Sequence, residues 1–199
     1  MKNTWLIVLL VIGAVLLMMG CGRYNGFVES EEQVNQAWSK VESAYQSRAD
    51  LVPNLVATVQ GAADFERGTL TDVIDARSRA TSVNLEADDL TPENLERFQA
   101  AQNELSGALS RLLVSVERYP ELRATSQFSQ LQSQLEGIEN RIRVERNRFN
   151  DTATGYNTEI RTFPNNFFAG IFGFDRRPLF ASDPGAQNAP DVDFSFGDE

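Results

Sequence analysis

From residue 28 onward, apolar side chains recur on a helical period. Val34, Trp38, Val41, Tyr45, Arg48, Val52, Leu55, Val59 and Ala62 follow one another at alternating spacings of four and three, and only Arg48 is polar. A second seam runs Leu95, Phe98, Gln102, Leu105, Leu109, Leu112, Val116. A third runs Phe128, Leu131, Leu135, Ile138, Ile142, Glu145, Phe149, Thr152, Tyr156. These are the a and d positions of helices packed on one another. Between the first two seams, Leu70, Val73, Ile74, Arg77 and Ala80 mark a shorter helix, which brings the number to four.

Punctuation places the boundaries. Thr91-Pro92-Glu93-Asn94 reads as an N-cap followed by proline at the first helical position. Tyr119-Pro120-Glu121-Leu122 reopens the chain after a few residues, so the third and fourth helices should be antiparallel neighbours. At about 1.5 Å per residue, a first helix over residues 28–63 is roughly 50 Å long and a fourth over 122–161 roughly 60 Å. Pro53 withdraws the hydrogen bond owed to the Ala49 carbonyl and should bend the first helix there. After Phe163-Pro164 the chain reads FPNNFFAGIFGF and then turns rich in Asp, Pro and Ser, where helix should not persist. The expected fold is all-α, an elongated antiparallel four-helix bundle with an N-terminal membrane segment and a non-helical C-terminal tail. Its divisions are residues 1–21 for the anchor, 22–163 for the bundle and 164–199 for an aromatic, then acidic, tail.

Residues 6–19 (LIVLLVIGAVLLMM) form an uncharged apolar run of 14, preceded by Lys2 and followed by Gly20-Cys21-Gly22. Two membrane readings fit. In a lipoprotein signal, Gly20 precedes the cleavage site and Cys21 becomes the lipidated N-terminus, although Met18 stands where Leu or Val is usual. In an uncleaved transmembrane anchor, the segment is counted from Trp5 to Tyr24, both interface-loving aromatics, and reaches 20 residues. Either way Lys2 stays inside, which puts the helical domain on the exported (periplasmic or extracellular) side of a bacterial cell membrane.

Composition narrows the chemistry. Lys and Arg total 18 against 28 Asp and Glu, so a net charge of -10 disfavours nucleic acid as a partner. The sequence has no histidine, which removes the commonest general base and the commonest transition-metal ligand together. A dimetal site of the ferritin type among Glu117, Glu136, Glu139 and Glu145 needs Glu-x-x-His pairs and is excluded. Cys21 is the single cysteine, so no internal disulfide forms. No catalytic residue, cofactor or metal is expected.

Several segments are specific enough to name a family. YNGFVESEEQVNQAW (24–38) and YQSRADLVPNLVATVQG (45–61), VIDARSRA (73–80), LSGALSRLLVSVERYPEL (105–122), FSQLQSQLEGIENRIRVERNRFNDTATGYN (128–157) and FPNNFFAGIFGF (163–174) together resemble the LemA family. The resemblance runs over nearly the whole chain and is carried by Glu117, Tyr119, Pro120, Leu131, Glu139, Asn140, Arg141, Arg146, Asn150, Tyr156 and Asn157, among others. Glu145 stands where the family usually has a small apolar residue. What the resemblance implies is a membrane segment and an antiparallel helical bundle, with some members tied to bacterial membrane organelles and envelope processes. It implies no established molecular activity.

The polar candidates are Arg48, Asp50, Asn54, Arg77, Glu117, Glu139, Arg141, Asn150 and Asn157. A buried Arg48 needs a carboxylate, from Glu117, Glu139 or Glu145, and the pair would then fix helix register. The aromatic-amide pairs Tyr24-Asn25, Phe149-Asn150 and Tyr156-Asn157 suggest rings packed inside beside amides capping exposed backbone. Phe167, Phe168, Ile171, Phe172 and Phe174 should either touch a membrane or partner, or fold back over the bundle end. Two functions follow. The leading one is a membrane-anchored scaffold or adaptor for envelope or membrane proteins. The other is an enzyme or small-ligand binder with a pocket around Arg48, Asp50, Glu139 and Arg141.

Overall fold

A computed structural model describes residues 2–61 and 66–181. Its elements are α1 (Lys2–Gln60), α2 (Arg67–Ser82), a 3-10 turn (Ala87–Asp89), α3 (Pro92–Val116), α4 (Pro120–Arg123), α5 (Ser126–Arg161) and α6 (Asn165–Phe172). The described residues contain no strand. Ala62 of the first seam and the acidic stretch from 182 onward lie outside them.

The seams are the core. Every described member of the first two is buried, from Val34 and Trp38 to Leu112 and Val116. On α5, Phe128, Leu131, Leu135, Ile142, Phe149 and Tyr156 are buried, while Glu145 is partly exposed and pairs with Arg148 one turn on at 3.3 Å. That ion pair is how α5 accommodates a carboxylate on an apolar seam. On α2 the phase differs from expectation at one place. Ile74 is 46% exposed, and Ala76 and Ala80 complete the buried face with Leu70 and Val73. The stripe is Leu70, Val73, Ala76/Arg77, Ala80, and Ile74 falls about 100° off Val73.

Numbering across the contacts gives helix directions. Ser30 bonds Glu159, Tyr156 reaches Glu31 and Arg48 meets Glu139, so α1 and α5 run antiparallel. Arg118 meets Glu66 and Arg79 meets Glu104, so α2 and α3 do too. Tyr45 packs on Phe98 and Arg48 bonds Gln102 and Ser106, which sets α3 parallel to α1.

Threonine caps set the starts of α3 and α5. The Thr91 hydroxyl accepts from the Asn94 amide, with Pro92 at N1, as the sequence predicts. The fourth helix was expected from residue 122, yet α5 begins at Ser126. Thr125 takes an extended conformation and accepts from the Phe128 amide, and that cap isolates α4 as a single turn. The first helix was expected from residue 28, but α1 is continuous from Lys2, carrying Gly20, Gly22, Asn25 and Gly26 inside it with no proline to break residues 20–28. The non-helical tail is corrected over residues 165–172. Pro164 precedes the first turn, where a missing N–H costs nothing, and Gly173 ends the helix at φ +77° as the Phe174 amide donates to the Ala169 carbonyl. Among the described residues no helix is long and apolar enough to cross a membrane. The uncharged run of 14 within α1 gives about 21 Å of helix against a hydrocarbon core of about 30 Å.

Pro53 lies inside α1 without ending it. The Ala49 carbonyl, deprived of its Pro53 partner, accepts from Arg77 Nε of α2 at 2.7 Å. Arg77 therefore replaces the missing backbone donor and stitches α2 to α1. Arg77→Met keeps the stem and removes the donor, leaving a carbonyl between two helices unbonded, and should cost about 1 to 3 kcal/mol. Pro53→Ala in the Arg77→Met background restores the backbone donor and should recover much of it. Urea denaturation of the four proteins measures this, and equal losses with and without Pro53 would show that Arg77 acts through something other than Ala49.

Candidate functional site

The core divides in two. One part is aromatic, with Phe27, Trp38, Tyr45, Phe98, Phe149 and Phe180 among its members. The other is aliphatic, built on residues such as Val52, Leu55, Val73, Leu105, Leu112 and Leu135. Between them lies a polar layer. Arg48, 1% exposed, sends Nη1 to Glu139 Oε1 at 2.9 Å and to the Ser106 hydroxyl. Its Nη2 donates to the Gln102 carbonyl at 3.0 Å and to Gln102 Oε1 at 2.6 Å. The guanidinium also lies 5.1 Å from the Tyr45 ring centre. Gln102 Nε2 then donates to the Ala80 carbonyl at 3.2 Å, which brings in α2. One buried cation thus ties α1, α3 and α5 directly and α2 through an amide.

Of the three expected carboxylates, Glu139 is the partner. Glu117 caps the end of α3 and is exposed, and Glu145 serves Arg148. Asp50, Asn54 and Arg141 are also exposed, so the pocket imagined around Arg48, Asp50, Glu139 and Arg141 is not assembled. Helical spacing explains it: Asp50 and Asn54 sit about 200° and 240° around α1 from Arg48, and Arg141 about 200° around α5 from Glu139. Asp50 accepts from Gln46 on the outer surface at 2.7 Å. Gln102 and Ser106 were missed as partners, although Gln102 was the polar member of the second seam.

Asn150 and Asn157 do a different job. Asn157 accepts from the Arg177 amide and donates to the Arg177 carbonyl, both at 2.8 Å. Asn150 accepts from the Phe180 amide at 2.8 Å and donates to its carbonyl at 3.2 Å. Each side-chain amide pairs with both the N–H and the C=O of one residue, as the facing residue of a neighbouring antiparallel strand would. The register is metric: seven residues of helix span about 10.5 Å and three residues of extended chain about 10 Å. The segment after Gly173 is therefore strapped along α5. Phe180 drops into the aromatic core against Trp38 and Phe149, with the Arg146 guanidinium 4.7 Å from its ring centre.

Near the strap, Glu31 accepts from Arg177 Nη2 at 2.9 Å and faces the Tyr156 hydroxyl at 3.5 Å. Burial first, and the Glu31 charge second, push the Tyr156 phenol up to about 12, against the pull of Arg177. A phenol raised in the folded state contributes stability that is complete below about pH 10 and lost as pH climbs towards 12. Stability should therefore fall across that window, and Tyr156→Phe should flatten the fall. Denaturant midpoints at several alkaline pH values test this, and an unchanged slope in Tyr156→Phe would remove Tyr156 as the cause. Burial also raises Tyr45 and Glu42.

An open cleft of about 630 Å³ lies beside the polar layer, lined by Ser106, Glu139, Arg143, Arg146, Asn147 and Asn150 among others. Glu139, 41% exposed, joins the two, with one oxygen on Arg48 and its outer side in the cleft. No group of three or more Cys, Asp or Glu among the described residues is arranged to hold a metal ion.

The profile of the LemA family matches residues 37–194. Over 188 residues the chain is 28% identical to magnetosome protein MamQ 2 of Paramagnetospirillum magneticum, covering 86% of this chain and 68% of that protein. It is 26% identical over 179 residues to magnetosome protein MamQ of Magnetospirillum gryphiswaldense, covering 81% and 66%. With protein LemA of Metamycoplasma hominis it shares 26% over 161 residues, covering 81% and 69%. The profile spans Arg48, the polar layer and the strap, and on that match the chain belongs to the LemA family.

Proposed function

We propose that this protein is a non-enzymatic, membrane-tethered scaffold of a bacterial cell envelope. Residues 1–21 attach it to the membrane, Lys2 stays inside, and α1, α2, α3 and α5 project on the exported side as an elongated antiparallel four-helix bundle that presents its polar faces to envelope proteins. One observation carries this reading. Arg48, Arg77, Asn150 and Asn157 direct their polar atoms at the chain itself, at carbonyls, amides and side chains that join helices or hold the strap. These groups build a frame. The names of the relatives state a family or a place of work, not a reaction, which agrees with a structural role.

The tether is tested by alkaline extraction of native membranes. The full chain should stay in the pellet and a chain from Gly22 to Glu199 should be released still helical. Release of both would sink the tether. Cys21→Ser then separates the two attachments, because a changed mass identifies lipidation and an unchanged mass with full retention identifies the uncleaved anchor.

A second reading has its own support in the cleft beside Glu139. Two guanidiniums and three amides line one open volume beside the Glu139 carboxylate, a set that suits a small ligand with an anionic group, and the chain would then be a ligand binder using the outer side of the polar layer.

A further inference from the structure

The aromatic tail has two faces with different environments. Phe168 is buried and lies 3.6 Å from where a Cβ on Gly20 would stand. Phe172 and Phe174 pack edge-on against Tyr24 at 5.2 and 5.7 Å, and Phe174 also meets Phe27 at 5.2 Å. On the other face of α6, Phe167 and Ile171, four apart, are 66% and 62% exposed, with Phe167 edge-on to Phe168 at 5.7 Å, and Phe163, just ahead of Pro164, is 83% exposed. Two large apolar groups on one face of a short helix, with a third just ahead of its first turn, form a patch of the kind that marks an interaction surface.

Its position in the chain's architecture indicates the occupant. α6 packs on α1 between Gly20 and Tyr24, immediately beyond the uncharged run of residues 6–19, and Phe174 after it reaches Phe27. α6 thus lies immediately beyond the apolar end of α1, where Met18 is 79% exposed, and its outer face carries the patch. That end supplies about 21 Å of helix, too short for a bilayer by itself, and a second apolar element beside it adds depth. The charge around the patch also departs from the rest of this acidic chain. Arg23, Arg161 and Arg176 are exposed in the segments that flank it, with Glu29 and Asp175 exposed and Glu159 partly exposed beside them. Arginine beside an apolar face suits anionic headgroups, and the distant carboxylates are screened over about 8 Å.

We propose that Phe163, Phe167 and Ile171 form a foot that seats in the interfacial layer of a phospholipid bilayer beside the N-terminal attachment. This rests on the reading of residues 1–21 as a membrane tether. The foot would hold α1 at a fixed angle to the membrane, since α6 is packed on α1 and, through the strap, on α5.

The test uses the full chain with Trp5→Phe, which leaves buried Trp38 as the internal reference, in vesicles of phosphatidylcholine and phosphatidylglycerol. Phe167→Trp reports the foot, and Ile74→Trp, exposed on α2, is the control. Flotation shows whether the chain is attached, and lipids brominated near the headgroup show whether the indole touches them. The expected result is a floating chain in which Phe167→Trp loses most of its added emission and Ile74→Trp loses none. A chain that floats while Phe167→Trp stays bright overturns the foot and leaves the tether standing. A chain that does not float overturns both. Protection of Phe167→Trp that grows with protein concentration and is indifferent to bromination would assign the patch to a second copy of this chain and also overturn the foot.

Discussion

Arg48→Ala should destabilise the protein by about 3 to 5 kcal/mol, the largest loss expected from any polar position. The source of the loss differs from that of a sealed ion pair. Glu139 is 41% exposed, so its carboxylate keeps water when Arg48 is removed, and the direct charge pair must be discounted towards the range of exposed pairs, about 0 to 1 kcal/mol. The remainder comes from inside. The Gln102 carbonyl and Gln102 Oε1 lose a charged donor, each unsatisfied buried group costing about 1 to 3 kcal/mol, while the half-buried Ser106 hydroxyl can turn to the cleft, and a side chain 1% exposed leaves a void between two cores. Arg48→Met fills the void and should recover part of the loss, whereas Glu139→Gln leaves the cation three neutral acceptors and should be milder than either. A double-mutant cycle between Arg48→Met and Glu139→Gln should show coupling of no more than about 1 kcal/mol, the discounted worth of the direct pair. A loss below about 1 kcal/mol for Arg48→Ala would place the guanidinium in water and undo the polar layer.

Phe180→Ala is the second large effect, and it should be local. Removing a buried phenylalanine costs about 3 to 5 kcal/mol where the structure cannot rearrange. Here the strap can peel away, so the loss is capped at the free energy of docking residues 174–181, and the exposed product is Trp38 with Phe149. In a Trp5→Phe background the Trp38 emission should shift to the red at denaturant concentrations where far-ultraviolet circular dichroism is unchanged. Asn150→Ala with Asn157→Ala should reach the same state by releasing the Phe180 and Arg177 peptide units. A red shift that coincides with loss of helix in all three proteins would show that the strap is part of one cooperative unit.

The first two seams were legible because period, not residue identity, carries the information, and a single polar member on each pointed to the layer between the cores. Arg48 and Gln102 both break an apolar seam, and both are in that layer. Glu139 lies off the third seam, one residue past Ile138, and only the helix crossing brings it to Arg48. The amide role of Asn150 and Asn157 was half legible, since their spacing of seven fixes one face, but their partners are backbone groups and leave no trace in side-chain identity. α6 was misread because Pro and Gly were taken as breakers, when Pro164 and Gly173 instead delimit a helix from outside. Arg77 was seen as polar without its reason, which is a proline 24 positions earlier in another helix.

Native mass spectrometry of the protein extracted from its own membranes in mild detergent tests the central claim most directly. A scaffold should emerge bound to an envelope protein in fixed ratio, and that assembly should survive Arg143→Ala with Asn147→Ala, two exposed residues that line the cleft and make no contact with the strap. Recovery of the chain without protein partners, carrying instead a small molecule that disappears in the same double variant, would contradict the scaffold and assign the cleft beside Glu139 as a binding site.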